Sequence, residues 1–184
     1  MNYAALPAFG KRDAIHVVVE TPRGSTVKLK YDSDLEAFTL SRPLPEGLAF
    51  PYDWGFVPST RMPDGDPLDA MVVWDRPSFP GVVLACRALG VLAVEQNSRQ
   101  HVGRRQRNDR LIVVPLEAPR YESIKSVDDL AARTREEIES FFVASTAFEK
   151  KNLTFRGWSQ PGAGYELVKA SIHTRRSSGR PRRR

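Results

Sequence analysis

Up to about residue 115 the chain is a succession of short β-branched or alternating runs, each cut off by Pro or Gly within a few residues, and helical periodicity appears only after that point. That order confines it to a small β architecture with late helices laid on its surface. Ile15-His16-Val17-Val18-Val19-Glu20 reads as a strand closed by the turn Thr21-Pro22-Arg23-Gly24-Ser25. In the next run, Thr26, Lys28 and Lys30 share parity, with Val27, Leu29 and Tyr31 on the opposite face. Two ammonium groups therefore point the same way, for which a solvated outer face is the ordinary explanation. Phe38-Thr39-Leu40-Ser41-Arg42 gives a third strand before Pro43, Pro45 and Gly47 break the pattern. The aromatic stretch Phe50-Pro51-Tyr52-Asp53-Trp54-Gly55-Phe56 reads as core or turn packing.

Farther on, Ala70-Met71-Val72-Val73-Trp74 is strand-like, residues 82–94 read as two strand segments bent near Gly90, and Leu111-Ile112-Val113-Val114-Pro115 is another strand. Between them, the polar, Arg-rich residues 95–108 are expected to form a mobile hairpin loop. Ser126, with Asp129 three residues on, is expected to cap the first helix, whose Leu130, Ile138, Phe141 and Phe142 fall on one core-facing side. A second helix is expected over residues 164–173. The fold class is α+β, mainly β: a small barrel carrying two or more helices.

The 184 residues suit one domain, long enough to bury a core without staples. A net charge of +6 invites a nucleic-acid reading, but residues 175–184 hold six Arg and no acid, so residues 1–174 are formally neutral. The domain is therefore expected over residues 1–174, with a basic, disordered tail over 175–184. Such a tail supplies only sequence-independent attraction to RNA. The single Cys86, in an apolar run, permits no internal disulfide and suits a reducing compartment. The first twelve residues lack the apolar core of a secretory leader, and no apolar run approaches the ~20 residues of a membrane span. The expectation is a cytoplasmic protein without a membrane partner.

Asp64, Asp66 and Asp69 fall within six residues, around Gly65 and Pro67. Carboxylates beside Gly and Pro are ordinary turn chemistry. Crowded like charges nevertheless raise one another's pKa unless a cation sits among them. A hard divalent ion is the natural partner, because Mg²⁺ takes oxygen ligands and is held by one or two carboxylates together with substrate phosphates.

The run Asp64-Gly65-Asp66-Pro67-Leu68-Asp69, preceded by Phe50-Pro51-Tyr52-Asp53-Trp54-Gly55-Phe56-Val57-Pro58, resembles the signature of the soluble, Mg²⁺-dependent inorganic pyrophosphatases of the single-domain β-barrel type. The resemblance spans about residues 15–158. It implies a five-stranded, OB-like closed barrel and hydrolysis of pyrophosphate to two phosphates with two or more Mg²⁺ ions. Asp64 and Asp69 resemble the metal ligands, Asp69 bridging two ions, and Asp66 resembles the base that accepts a proton from the attacking water. Glu20 resembles the supporting carboxylate, Lys28 and Arg42 the phosphate ligands, and Trp54 is allowed a place lining the pocket. The resemblance also implies a homo-oligomer, often a hexamer in bacterial relatives.

The match departs at several positions. Lys30 stands where the family has an acid, Phe50 and Trp54 where it has Tyr, Ser145-Thr146 where a Tyr-Lys pair closes the substrate site, and Arg110 where it has Lys. The second acidic cluster becomes Glu95-Gln96 and Asn108-Asp109-Arg110, which leaves Glu95 and Asn108 as the candidate ligands there. By parity Asn108 and Arg110 share a face and Asp109 points away. With less negative charge, such a site is expected to hold about two Mg²⁺, Lys30 contacting phosphate in place of one cation. Two other readings stay open: a phosphohydrolase for another diphosphate, such as a nucleotide, with a pocket opened by the missing Tyr and Lys groups, and a weak phosphate- or RNA-binding protein using the Arg-rich loop and tail.

Overall fold

A computed structural model describes residues 1–98, 101 and 103–172. The proposed basic tail, residues 175–184, lies outside them. Nine strands are described: β1 (Ile15–Thr21), β2 (Val27–Asp32), β3 (Ala37–Pro43), β4 (Asp53–Val57), β5 (Leu68–Val72), β6 (Val83–Asn97), β7 (Arg105–Arg107), β8 (Arg110–Pro115) and β9 (Thr154–Ser159). Two helices, α1 (Ala132–Ser145) and α2 (Pro161–Ser171), follow the eighth and ninth strands.

Five of the strands pair around a ring in the order β1, β4, β5, β8, β6 and back to β1, which gives the OB-like, barrel-like closure. All of these ladders are antiparallel except β5 with β8. β2 and β3 form a separate hairpin, and β7 and β9 extend the ring by pairing with the far end of β6. Alternation along the strands feeds two apolar clusters. On β5 and β8, Leu68, Ala70, Val72, Leu111 and Val113 join one with Val168 of α2. Met71, Val73, Ile112 and Val114 join the other, with Ile138, Phe141 and Phe142 of α1. Both faces of these ring strands are thus covered, as their near-continuous apolar sequences require. Cys86 is a free, fully buried member of the first cluster, and burial pushes its thiol pKa upward.

Several boundaries differ from the sequence reading. The aromatic stretch contributes a central strand, β4, because its Pro-rich flank masks a run that is buried throughout. Asp53 there is fully buried, accepting from the backbone N–H groups of Arg23 (2.7 Å) and Ser78 (3.2 Å) and from Trp74 Nε1 (3.0 Å). The expected pair of segments over residues 82–94 is instead one continuous strand, β6, from Val83 to Asn97. It does bend at the expected place, with a register shift between Ala88 and Gly90 opposite β8. Much of the expected loop 95–108 is ladder, since β6 runs on to Asn97 and β7 returns along it. The Ser126/Asp129 capping box is present but closes the 3₁₀ turn Val127–Asp129, not α1. α2 begins at Pro161, whose fixed φ suits a first helical turn, and is described to Ser171, with His173 outside the described residues.

Gly90 is fixed by the close approach of β9: a Cβ there would lie 2.0 Å from the carbonyl oxygen of Ser159 and 2.8 Å from Val127 Cγ1. Backbone cannot yield as a flexible side chain does. Gly90→Ala is expected to lower the unfolding free energy by about 2–4 kcal/mol in urea titrations. An unchanged midpoint would show that β6 and β9 are not packed this closely.

Candidate active site

One cavity gathers side chains from the ring, the β2–β3 hairpin and the segment after α1. Its carboxylate wall comes from the loop between β4 and β5. Gly65 takes φ +90°, which an L side chain rarely adopts, and its N–H donates to Met62 O (2.9 Å). Asp64 Oδ1 accepts from the N–H of Asp66 (3.1 Å), so the turn both uses one carboxylate and aims the next. Thr60 anchors the loop, donating to Val57 O (2.6 Å) and accepting from Leu68 N–H (2.9 Å). Asp69 follows on β5, opposite Phe56. Asp64, Asp66 and Asp69 all line the cavity, as does Glu20 from β1.

Burial and then the charges of Asp66 and Asp69 hold the Asp64 carboxyl above its ordinary pKa, against the hydrogen bond from Asp66 N–H. Glu20 is pushed up to about 7, chiefly by burial, although the Tyr31 N–H donates to its Oε1 at 2.8 Å. Crowded acids are thus present, as the spacing of the motif led us to expect.

Cations face them. Lys28 and Lys30 both line the cavity, so their shared parity turns them inward rather than to an outer solvated face. Lys30 Nζ donates to Asp66 Oδ1 at 2.8 Å, with both side chains nearly half exposed. Burial lowers the Lys30 pKa, but the hydrogen bond to Asp66 and the charges of Asp66, Glu20 and Asp69 outweigh it, and the net shift is upward. Arg110 donates to Asp69 Oδ2 and, at 2.6 Å, to Asn108 Oδ1. Its guanidinium lies 5.3 Å from the Trp54 ring centroid, and Lys28 Nζ lies 5.5 Å from it. Trp54 itself is 3% exposed and packs in the core, so it floors the cations without lining the cavity.

The far wall corrects one assignment. Glu95 points away and pairs with Arg156 at 2.7 Å, while Gln96, its neighbour of opposite parity, faces the cavity and is 2% exposed. Asn108 faces inward and Asp109 outward, as parity requires; Asp109 instead accepts from Val94 N–H (3.0 Å) and pairs with Arg107 (2.8 Å). Both inward positions are therefore neutral amides. Arg42 sits opposite Lys28 in the hairpin register, yet it is outside the cavity lining and pairs with Glu149 at 2.8 Å. Phe50 is buried against Phe141, ring centroids 4.9 Å apart. The Ser145 and Thr146 hydroxyls both donate to Phe142 O, at 3.1 and 2.9 Å, and neither residue lines the cavity. The pocket is not opened by the hydroxyls missing at positions 50 and 54, because both rings are buried.

Two lining residues were missed in the sequence. Ser41 enters because the register shifts between Lys28 and Leu29, passing from Arg42 to Leu40 and leaving Ser41 as the extra residue of a bulge. Lys151 enters from the non-helical segment after α1, where no periodic signal exists.

Among the described residues no three His, Cys, Asp or Glu side chains close into a metal cage. The open, all-oxygen set of Asp64, Asp66 and Asp69 nonetheless fits a hard ion such as Mg²⁺, which seeks few carboxylates and shares its sphere with water and phosphate. Small β-ring, aspartate wall and facing cations together define a protein built to handle a phosphorylated anion. A model of the inorganic pyrophosphatase family matches residues 17–176. The chain is 37% identical over 172 residues to the inorganic pyrophosphatase of Synechocystis, covering 94% of this chain and 98% of that one. It is 37% identical over 175 residues to that of Thermus thermophilus, covering 93% and 96%. The crystal structure of the Thermus thermophilus pyrophosphatase superposes with a TM-score of 0.85 at 36% identity, covering 94% of this chain and 97% of that one. A pyrophosphatase structure from Coxiella burnetii gives 0.81 at 32%, covering 91% and 98%. The chain belongs to the inorganic pyrophosphatase family, and membership implies a divalent metal cofactor.

A group whose folded pKa is raised contributes stability below its unfolded value and loses it as pH rises through the folded value. For Glu20 that window runs from about 4.5 to about 7. With divalent ions chelated, stability is expected to fall by up to about 3 kcal/mol across the window, and Glu20→Gln, which keeps an acceptor for Tyr31 N–H, is expected to flatten the profile in urea titrations. Parallel profiles would contradict the burial of an ionisable Glu20.

Proposed function

We propose that the protein hydrolyses inorganic pyrophosphate to two phosphates with the help of a divalent cation, Mg²⁺ being the ion suited to its aspartate wall. The observation that carries this reading is charge balance. Glu20, Asp64, Asp66 and Asp69 line the cavity against Lys28, Lys30, Arg110 and Lys151, so at formal charges the protein's share is neutral. A diphosphate brings several negative charges and is compensated only if cations enter with it. Bound divalent ions, held by Asp64 and Asp69, would supply Lewis acidity that lowers the pKa of water and polarises phosphate oxygens.

The chain's own groups do the rest. Asp66 accepts the proton of the attacking water, whose oxygen forms the new P–O bond as the bridging P–O bond breaks. The leaving phosphate takes the electron pair, and Lys28 and Arg110 stabilise the charge that gathers on the phosphate oxygens. Lys30 leaves Asp66 for a phosphate oxygen when substrate enters, which frees the base and replaces one cation. Glu20, tied to Tyr31, keeps Lys28 and Lys30 turned inward through its charge. The inward amides Gln96 and Asn108 limit the site to about two ions.

The RNA-binding alternative loses support from the hairpin. Arg105 donates to Asn152 O (2.6 Å) and Thr154 Oγ1 (2.7 Å) and Arg107 is ion-paired to Asp109, while Arg156 of the neighbouring β9 pairs with Glu95, so these three cations are engaged within the fold. Among the described residues no helix is long and apolar enough to cross a membrane. A homo-oligomer, with the hexamer as the form to test by sedimentation, and a cytoplasmic location remain parts of this proposal.

Purified protein is expected to release phosphate from pyrophosphate in proportion to Mg²⁺ until saturation, and Asp66→Asn to lose about 10²-fold or more. Absence of Mg²⁺-dependent release by the unaltered protein would overturn the proposal. Lys30→Glu is expected to shift the Mg²⁺ curve to higher concentration and steepen it, because a carboxylate then calls for another ion. A superimposable curve would remove Lys30 from the cation count.

A further inference from the structure

Glu149, just beyond α1, bridges two cations at the rim of the cavity. Its Oε1 lies 2.8 Å from Arg42 Nε and its Oε2 lies 3.0 Å from Lys151 Nζ. The three side chains are largely withdrawn from solvent, 25%, 24% and 12% exposed for Glu149, Arg42 and Lys151. Lys151 lines the catalytic cavity, and Arg42 is the register partner of Lys28, which also lines it. One carboxylate therefore holds together a lysine that lines the cavity and an arginine outside its lining whose register partner, Lys28, lines it.

We infer that Lys151 is a phosphate-binding residue of this site and that the Glu149 carboxylate stands, in the substrate-free protein, where a phosphate group would engage Lys151 and Arg42. The inference rests on the pyrophosphatase reading and deepens it, since it names where the second phosphate binds. A carboxylate offers two oxygens to charged N–H donors in the manner of a phosphate edge. A diphosphate offers more oxygens and more charge, so it displaces the carboxylate when it arrives, and Lys151 turns to it with little rearrangement. Arg42, whose planar fork suits bidentate contact with phosphate, is released by the same exchange.

Glu149 is thus a positioning residue with two opposed effects. It keeps two long side chains extended, which spares ordering cost on binding, and it competes for their charge. Competition prevails, because charged hydrogen bonds are roughly twice as strong as neutral ones and an amide at position 149 still accepts one. Removing the charge while keeping the shape is therefore expected to strengthen phosphate binding, an effect that a residue present only for structure does not produce.

The test is calorimetric binding of methylenediphosphonate, a diphosphate analogue that cannot be hydrolysed, to the full chain at fixed, saturating Mg²⁺ and low salt. Lys151→Met is expected to weaken binding about tenfold or more, Lys151→Arg to stay within about threefold of the unaltered protein, and Glu149→Gln to tighten binding about threefold or more. Lys151→Gln serves as a second neutral variant, and thermal melts establish that each protein is folded. If the unaltered protein binds the analogue but both neutral Lys151 variants bind it equally well, or Glu149→Gln binds no more tightly, the inference is overturned while the pyrophosphatase reading stands. If the unaltered protein does not bind the analogue, both fall.

Discussion

Four carboxylates and four cations share one small cavity, and neither set is tolerable there without the other. Asp66 and Asp69 are held by Lys30 and Arg110, while Asp64 and Glu20, which burial dominates, are driven toward protonation. Counted at formal charges the substrate-free site is neutral, and the raised pKa values of Asp64 and Glu20 leave part of their charge to be drawn out by an entering cation. Such a site has little to offer a bare metal ion or a bare diphosphate, and much to offer the two together, because their charges cancel each other before they reach the protein.

The scaffold explains how these groups meet. The ring closes because β6 is long enough to pair with β1 at one end and with β8, β9 and β7 farther along. Its bend at Gly90 lets β9 approach closely, and Trp158 on β9 donates to Glu139 of α1 at 2.7 Å, tying the helix to the ring. That connection positions the segment after α1, and with it Glu149 and Lys151, at the edge of the β2–β3 hairpin. Cation and carboxylate walls thus come from different elements, and their spacing depends on the ring remaining closed.

Much of this was legible in the sequence, for identifiable reasons. The aspartate turn could be read because Gly65 and Pro67 fix its local geometry, and the inward Asn108 and Arg110 followed from strand parity. The paired lysines of β2 were correctly placed on one face, but which face depended on the hairpin's packing, which no local pattern encodes. Glu95 was favoured over Gln96 because charge is the more visible signal, whereas the register of β6 decides which of the two points inward. Lys151 was invisible for a different reason: it lies beyond the helix on an irregular segment, so its place in the cavity exists only through tertiary contacts. Ser41 depends on a bulge, and β4 was read as packing because Pro and aromatic residues obscure its short, fully buried run.

Mutual dependence of metal and substrate is the central claim, and direct Mg²⁺ binding tests it without any turnover. Mg²⁺ affinity measured calorimetrically should rise at least about tenfold when methylenediphosphonate is present, and the analogue's affinity should rise by the same factor with Mg²⁺, as linkage requires. Equal Mg²⁺ affinity with and without the analogue would contradict the account, because it would mean that the carboxylate wall holds its ions independently of the cations that face it.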